Sequence, residues 1–561
     1  MRKRLAAGLV SIAALLVGCG GVPDGGAVHL GRAVPAQGGL DDFGVRVFPP
    51  SWQPGLSPND VIANFLHALV NNDADYAIAR TYLTPAATAK WRADTGITAY
   101  DDSALRLSVS GSRVVLNAPR VGTIDRDGAY QTESGTVAAA FVLSHEGGNW
   151  RIDKLPDGVL LSESDLQRTF HLAYLYYLNQ SGDVLVPDPV LLRDTQHGLA
   201  TDLASALLAG PSDWLAPAVR TALPDGVGLI GNVPLHDDGT VDVNLSASIR
   251  NASATDLAAL SAQLVWTLQQ VQGVTAVRLL ADGAPLSVPG RPSRQSVNSW
   301  PSFNPAGQRA AQGLLYVHTG RLAATGDDAA ATVRAAPTHV WAAARSTDGS
   351  TLAVVQQAAG AFRLLVGKSG KRLAVRLHAA SMTPPTFDAD GDVVTVVTNA
   401  AGRHVVAVDP AGHAHQLAAD AALLRQPVTS LRIAPDGARV AAIVGAGRLL
   451  VGRVSGHGAA QSMSGFRAIV PSLQFVRGVS WFGSDALFVT CANGTDQRKL
   501  VETDLDGYAL QQISLPFSGS PIDVAAVVGQ PLTVATDDGS LWQNLGGWHR
   551  LASGGVPVYS G

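Results

Sequence analysis

The pattern of apolar and polar positions changes twice along the chain, and its first part begins with helical spacing. Ser57 precedes Pro58 and a carboxylate at Asp60, which is typical of a capped helix start. A second helical stretch covers about 73–93, and four strand-like runs then alternate apolar and polar residues. Helices followed by antiparallel strands predict an α+β domain over residues 51–160.

The second part of the pattern mixes strands and helices and predicts an α/β domain over residues 165–290. A helix is expected where apolar residues recur every three or four positions, and a strand where a short run is rich in β-branched or aromatic residues. Helices are predicted over 199–208 and 255–271, and strands over 170–178, 227–233, 240–245 and 274–280.

The third part, residues 297–561, is a repeat of short strands separated by similar turns. Successive turn glycines at 307, 349, 391 and 437 lie 42, 42 and 46 residues apart. A strand-only repeat of that length matches one blade of a β-propeller, which favours an all-β propeller of about six blades. Five blades stay possible at this point, and a solenoid is the weaker alternative. The six turns are Asn304-Pro305-Ala306-Gly307, Thr347-Asp348-Gly349, Ala389-Asp390-Gly391, Pro435-Asp436-Gly437, Gly483-Ser484-Asp485 and Val528-Gly529-Gln530.

The first 18 residues have the three parts of a bacterial signal peptide. A basic start, Arg2-Lys3-Arg4, precedes an uncharged apolar run over residues 5–17, and Gly18 and Cys19 follow it. The apolar run is shorter than the roughly 20 residues that a transmembrane helix needs. Residues 19–50 are rich in glycine and proline and predict a flexible tether.

Composition narrows the possible functions. Hydrophobic residues make up 46% of the chain and charged residues 15%, so packed domains are expected rather than disorder. The net charge of −4, without a long basic run, argues against nucleic acid as a partner. Only two cysteines are present, so removal of Cys19 by lipidation would leave Cys491 without an intramolecular disulfide partner.

No catalytic motif stands out in the sequence. His145-Glu146 lacks the second histidine that a zinc-protease helix requires. Gly367-Lys368-Ser369 resembles the end of a phosphate-binding loop, but its glycine spacing is wrong, and a blade turn is the better interpretation.

Several single residues allow both a functional and a structural interpretation. His413 and His415 would share one strand face as half of a zinc site, although a solvated strand edge is favoured. His67 and Asp153 could line the interior of the first domain, but packing is the simpler role for His67. Cys491 is expected to be a buried, inert thiol.

The aspartates at the repeated turns also have two readings. They could form a ring of carboxylates on one face of the propeller, or each could cap its own turn by accepting hydrogen bonds from nearby backbone amides. Turn capping is favoured. The three residues are Asp348, Asp390 and Asp436. We therefore assign no catalytic, cofactor-binding or metal-binding residue.

Four segments resemble known families. Leu16-Val17-Gly18-Cys19 resembles the lipobox, in which the cysteine receives lipid, so Cys19 is the expected lipidation site; an ordinary secretory signal is the alternative. Residues 148–155 resemble the last strand of domains similar to nuclear transport factor 2 (NTF2), which form an open cone. The segments 207–211, 222–224 and 239–245 resemble the GerMN domain, and the Asp-Gly turns resemble those of TolB-type propellers.

The order of these parts resembles LpqB, an actinobacterial lipoprotein family. This resemblance implies a non-enzymatic protein, lipid-anchored at Cys19 on the extracytoplasmic face of the cell membrane. It further implies binding to the sensor domain of a two-component histidine kinase similar to MtrB, with effects on cell division and envelope homeostasis. Two alternatives stay open: a sensor that binds an envelope glycan, peptide or lipid, and an enzyme whose distant residues converge.

Overall fold

Strands predominate in the part of the chain that the structure describes. The computed structural model describes residues 51–71, 75–193, 198–307, 313–326, 329–358, 360–492 and 498–560. The expected signal peptide and tether, residues 1–18 and 19–50, lie outside the described residues. The fold class expected from the sequence is confirmed, with an α+β domain, a GerMN-like α/β domain and a propeller in that order.

The first domain places three helices against a curved seven-stranded sheet. The sheet order is β6-β5-β3-β1-β7, with β2 and β4 also paired to β3, and β1 runs parallel to β7. A further helix, α4, leads to the second domain. The elements are α1 Pro58–Ala68, α2 Ala77–Arg80, α3 Pro85–Lys90, β1 Ile97–Tyr100, β2 Arg106–Ser110, β3 Arg113–Ile124, β4 Tyr130–Thr132, β5 Thr136–Glu146, β6 Asn149–Lys154, β7 Val159–Ser162 and α4 Glu163–Thr169.

Helix α1 begins where the sequence predicts it. The Ser57 side chain accepts a hydrogen bond from the Asp60 amide at 3.3 Å. The Asp60 carboxylate accepts one from the Ser57 backbone amide, which completes a capping box. The single helix predicted over 73–93 is wrong, because Thr84 caps a new helix that starts at Pro85. Phe65 of α1 packs within the concave side of the sheet, with its ring 6.1 Å from that of Phe141.

The second domain has two three-stranded sheets, and helix α6 packs against both. The orders are β10-β8-β9 and β11-β12-β13, and β11 runs parallel to β12. The elements are β8 Phe170–Asn179, β9 Leu185–Arg193, α5 Leu199–Ala209, β10 Val219–Arg220, β11 Thr240–Leu245, α6 Ala254–Leu268, β12 Ala276–Ala281 and β13 Ala284–Pro285.

The strand predicted over 227–233 is wrong. That segment makes only an isolated bridge between Leu229 and Leu245, since Gly228 and Gly231 interrupt it and Gly231 has a positive φ of 71°. The other predicted helices and strands of this domain are confirmed to within a few residues.

The described strands of the third domain form six blades. One sheet has three strands, three sheets have four strands each, and a nine-stranded sheet consists of two neighbouring blades joined through β24 and β28. Two short helices lie between strands. The elements are β14 Leu315–His318, β15 Arg321–Ala324, α7 Ala329–Val333, β16 Val340–Arg345, β17 Thr351–Ala358, β18 Ala361–Lys368, β19 Ala374–Ala379, β20 Ser381–Met382, β21 Thr386–Phe387, β22 Val393–Asn399, β23 Gly402–Val408, β24 Ala414–Ala419, α8 Ala421–Leu424, β25 Val428–Ile433, β26 Arg439–Val444, β27 Arg448–Ser455, β28 Ser462–Ala468, β29 Gln474–Phe482, β30 Ala486–Ala492, β31 Arg498–Asp504, β32 Leu510–Ile513, β33 Pro521–Ala525, β34 Leu532–Thr536, β35 Ser540–Asn544, β36 Trp548–Ser553 and β37 Gly555–Val558.

The blades close into a ring. The last strand, β37, pairs with β14 at the beginning of the domain, so one blade is built from both ends of the propeller sequence. The innermost strands β16, β21, β25, β29, β33 and β37 contact one another in that order, and β37 contacts β16. This closure gives six blades and contradicts the solenoid alternative.

Candidate functional site

The second domain docks on the turns that join the first and second strands of several blades. Its anchor is Arg439, the first residue of β26, whose side chain is fully buried. The guanidinium donates hydrogen bonds to the Pro187 carbonyl at 2.7 Å and to the Ser484 carbonyl at 2.5 Å. It also forms an ion pair with the buried carboxylate of Asp436. One side chain therefore links two blade turns to β9 of the second domain.

Asp436 belongs to one of the repeated turns and caps it. Its carboxylate accepts a hydrogen bond from the Ala438 amide at 2.8 Å, and its backbone carbonyl accepts one from Asn179 of the second domain at 3.3 Å. Asp348 likewise accepts one from the Ser350 amide at 3.0 Å. The predicted turn-capping role is confirmed at these two positions.

Asp390 departs from this pattern. Its carboxylate accepts a hydrogen bond from the Gly458 amide at 3.1 Å and pairs with His457 at 3.6 Å. In that turn Asp388 makes the capping bond instead, accepting from the Asp392 amide at 2.8 Å. Asp390 thus ties two blades together rather than capping its own turn.

A second contact between the domains surrounds Trp214. Its indole donates to the Gly465 carbonyl at 2.8 Å, and its own carbonyl accepts from Arg453 at 2.6 Å. The guanidinium of Arg467 lies 4.3 Å from the centre of the indole ring, a cation–π distance. These contacts attach the second domain to the blade formed by β25–β28.

The first domain reaches the propeller at the turn after β31. Thr132 donates a hydrogen bond to the Asp506 carbonyl at 2.6 Å, and the rings of Tyr130 and Tyr508 meet edge to face at 5.4 Å. Gly507 has a φ of +81°, and a Cβ there would lie 2.8 Å from the Thr132 hydroxyl. Only glycine fits both the backbone conformation and this close approach.

Buried carboxyl groups gather at this junction. Burial raises the pKa of Asp504 well above its usual range, and the neighbouring charge and hydrogen bond of Asp506 raise it further. Burial also raises the pKa of Asp506, although the Arg467 guanidinium opposes that rise. Because burial raises both pKa values, this pair retains a proton at a pH where exposed carboxyl groups are ionised.

Asp188 of the second domain is another buried carboxyl group. Burial raises its pKa to about 6, against the opposing effect of hydrogen bonds from the Ser212 amide at 2.7 Å and the Ser212 hydroxyl at 2.9 Å. Arg439 and Arg467 also lower the pKa of Asp188, because both cations lie near it. The two domain contacts are therefore electrostatically connected.

A cleft of about 230 Å³ remains between the second domain and the propeller, beside Arg439. Its walls are mostly apolar, so it could accept a small apolar or aromatic group. It is lined by Tyr176, Pro187, Trp266, Asn304, Pro305, Ala306, Phe482, Gly483, Ser484, Asp485 and Val528.

The expected lipidation site, Cys19, lies outside the described residues. His67 is exposed in the last turn of α1, so both interpretations of this residue are wrong. Asp153 accepts a hydrogen bond from Thr84 at 3.3 Å. Cys491 is buried in β30, and burial raises the pKa of its thiol to about 11, as expected for an inert thiol.

The remaining candidate motifs have structural roles. His413 precedes β24 and bonds Asp409 at 3.0 Å, so it does not share a strand with His415. Gly367-Lys368-Ser369 ends β18 and enters a blade turn, as predicted. The ring of His145 lies 3.8 Å from that of Trp150.

Across the described ranges, no three His, Cys, Asp or Glu side chains are grouped so that they could hold a metal ion. In the same part of the chain, no helix is both long and apolar enough to cross a bilayer.

Sequence reasoning missed Arg439, Trp214 and the Asp504–Asp506 pair. A weak signal existed for two of these features. Arg439 begins an otherwise apolar strand, and Asp504 and Asp506 flank an apolar Leu505 at a turn. Which other domain they meet is set by tertiary structure, so no local pattern could reveal it.

The fold and these contacts define a class: a three-domain protein in which a cone-like domain and a GerMN-like domain dock on a six-bladed propeller. Three family models match in that order: "Lipoprotein LpqB, N-terminal domain" over 51–167, "Sporulation and spore germination" over 174–287, and "Lipoprotein LpqB beta-propeller domain" over 320–560.

Related proteins match the chain over nearly its whole length. Lipoprotein LpqB of Thermobifida fusca is 30% identical, over 98% of this chain and 97% of the relative. Lipoprotein LpqB of Streptomyces coelicolor is 27% identical, over 100% of this chain and 98% of the relative. The chain belongs to the LpqB lipoprotein family. Membership of this family implies association with a membrane and an accessory role, and the family name is that of a lipoprotein rather than an enzyme.

Solved structures resemble parts of the chain at low identity. TolB from Acinetobacter baumannii is 13% identical with a TM-score of 0.35, covering 45% of this chain and 68% of that one. The tandem GerMN domains of GerM from Bacillus subtilis are 20% identical with a TM-score of 0.21, covering 28% of this chain and 59% of that one.

Proposed function

We propose that this chain is held by lipid at Cys19 on the extracytoplasmic face of the cell membrane. There it binds the sensor domain of a two-component histidine kinase similar to MtrB, and it modulates signalling in cell division and envelope homeostasis. Membership of the LpqB family supports an accessory lipoprotein role of this kind.

The observation that carries the proposal is the buried joint between the domains. Arg439 and Asp436 are both fully buried, and they bind the second domain through the Pro187 carbonyl and through Asn179. A buried ion pair is costly to break, so it holds neighbouring elements in one arrangement. A fixed arrangement of three domains suits a protein that presents a surface to a partner.

The tether fits the same role. A glycine-rich segment of the length of residues 19–50 has a root-mean-square span of about 30 Å, which is enough to clear lipid headgroups. Confinement to the membrane would raise the effective concentration of the chain toward a membrane-bound kinase without any added contact.

Crosslinking in cells tests the proposal. A photoreactive residue is placed at exposed positions on each domain of the acylated protein, and captured partners are identified after detergent extraction. We expect one set of positions to capture the extracytoplasmic domain of a histidine kinase. An unrelated lipoprotein with the same probe provides the control, and the absence of any captured kinase from all positions would contradict the proposal.

The cleft between the domains favours a second candidate, an envelope sensor that binds a glycan, peptide or lipid. Its apolar walls, including Tyr176, Trp266 and Phe482, suit an apolar or aromatic group. Wall fragments should then raise the melting temperature, because binding to the native state stabilises it. Trp266→Ala should abolish that rise; a flat response of the unmodified protein to all fragments would reject this candidate.

A further inference from the structure

Three exposed arginines lie at the end of the propeller remote from the turns that the second domain covers. Arg425 precedes β25, Arg448 begins β27, and Arg477 lies near the start of β29. The docked turns lie at the other ends of β25 and β29. With Phe475 and Gln426, the three arginines define what we call the basic surface.

Backbone hydrogen bonds join the segments of the basic surface to one another. The Gly445 amide donates to the Pro427 carbonyl at 2.8 Å, which joins the loop carrying Arg425 to the turn before Arg448. The Val476 amide donates to the Gly447 carbonyl at 3.0 Å, which joins that turn to the segment carrying Phe475. The surface therefore spans two neighbouring blades without a break.

Charge is unbalanced on this surface. Segments 424–428, 444–449 and 474–478 contain no Asp or Glu, whereas the whole chain has a net charge of −4. Among the described residues, the structure records no ion pair for the three arginines. The three arginines are exposed to solvent on adjoining segments. A local excess of positive charge of this kind attracts anions even on a protein whose net charge is negative.

Phe475 adds an exposed apolar group to the basic surface, two residues before Arg477. Phe475 is 56% exposed, and its backbone has a φ of +52°, a conformation that a bulky residue rarely adopts. Gly447 makes the close packing possible, since a Cβ there would lie 2.6 Å from the Val476 nitrogen. The strained backbone holds an aromatic side chain out toward solvent, as is common at binding sites.

We propose that the basic surface binds the anionic headgroups of a phospholipid bilayer, with Phe475 entering the interface between headgroups and acyl chains. Arginines supply attraction to the phosphates, and an aromatic ring supplies burial at the boundary. The inference rests on the proposed membrane anchoring, because an anchored chain is confined close to a surface of anionic lipid headgroups. This binding would hold one end of the propeller against the membrane.

Vesicle sedimentation tests this inference without any kinase. The probe is the mature chain from position 19 carrying Cys19→Ala, so that no acyl chain contributes. We expect it to bind vesicles of phosphatidylglycerol and phosphatidylcholine at least tenfold more strongly than pure phosphatidylcholine vesicles, and to be released by high salt. Equal or absent binding to the two vesicle types would overturn the proposal.

A matched pair of variants separates local charge from total charge. Arg425→Gln, Arg448→Gln and Arg477→Gln together should weaken binding to the anionic vesicles on the order of a hundredfold. Phe475→Ala should weaken it by about fivefold. The control neutralises three exposed arginines elsewhere, Arg106, Arg113 and Arg372, and should change binding by less than about twofold. Equal loss in both triple variants would overturn the proposal.

A protein partner is the competing occupant, and one further measurement decides. Binding of the purified kinase sensor domain is measured in solution without lipid. If the triple change of the basic surface abolishes kinase binding and leaves vesicle binding intact, the surface belongs to the protein partner and the bilayer proposal is wrong. If vesicle binding is lost and kinase binding stays, the proposal holds. Circular dichroism and melting temperature confirm that each variant is folded.

Discussion

At the scale of single residues, the joint between the domains depends on Arg439. Its guanidinium satisfies two carbonyl groups and one carboxylate that are all buried. Removing the cation leaves Asp436 as an uncompensated buried charge, and such losses typically cost about 3–5 kcal/mol. We predict that Arg439→Gln lowers the free energy of unfolding by that amount. Urea denaturation followed by tryptophan fluorescence is the measurement.

The exposed Arg372 provides the control for this variant. Arg372→Gln should change stability by no more than about 0.5 kcal/mol, as is usual for surface positions. A change in Arg439→Gln as small as that of the control would mean that the buried pair does not hold the domains together.

The Asp504–Asp506 pair predicts a pH dependence. Burial raises the pKa of both carboxyls in the folded chain. Their contribution is therefore complete below the unfolded pKa of about 3.9 and is lost as pH rises through the raised folded values. The melting temperature should fall as the pH rises above about 4, and Asp504→Asn should reduce the fall. Asn keeps an acceptor for the Gly507 amide and does not titrate.

Asp348→Asn is the matched control for that experiment. Hydrogen bonds from Ser346 and Ser350 lower the pKa of Asp348, so its ionised form is already favoured at neutral pH. Its replacement should leave the decline above pH 4 unchanged. An undiminished decline in Asp504→Asn, with folding intact, would contradict the retention of a proton by the Asp504–Asp506 pair.

At the scale of elements, the closure of the ring depends on its last strand. Strand β37 pairs with β14, and Tyr559 beyond it donates to the Pro531 carbonyl at 2.6 Å. Removing residues 555–561 leaves the edge of β14 unpaired and exposes the core beneath it. We predict loss of cooperative melting and aggregation at low concentration. Tyr559→Phe, which keeps the strand, should melt cooperatively, and a monomeric cooperative truncation would contradict closure by β37.

Strand β9 explains why some elements escape sequence analysis. Pro187 and Pro189 argue against a strand, yet β9 is an edge strand opposite Tyr176 and Tyr174. The carbonyls of Tyr174 and Tyr176 accept hydrogen bonds from the side chains of Gln270 and Gln263, so neither carbonyl needs a donor from the opposing proline. A tertiary arrangement therefore permits what the local pattern disfavours.

Where local chemistry decides, prediction succeeds. The Ser57 cap, the long helix around Leu260 and the repeated turns all depend on residues within a few positions of one another. The domain contacts at Arg439 and Trp214 depend on residues more than 200 positions apart. Such pairs leave no periodic pattern in the sequence. The sequence therefore predicts the class of the fold but not the contacts between its domains.

At the scale of the whole molecule, the anchor and the folded domains should be separable. Cys19 and the tether lie outside residues 51–560, whose contacts form the cores of all three domains. Cys19→Ala, directed to the same compartment by a cleavable secretory signal, should therefore melt within about 1 °C of the unmodified domains.

The same variant should lose most of its regulatory effect, because the kinase is confined to the membrane and an unanchored chain meets it only at its bulk concentration. Phosphorylation of the response regulator in cells is the measurement. Cys491→Ala, which removes the other cysteine and keeps the acylated one, is the matched control and should signal normally. Full signalling by soluble Cys19→Ala would show that lipid only determines the location of the chain and adds nothing to recognition of its partner.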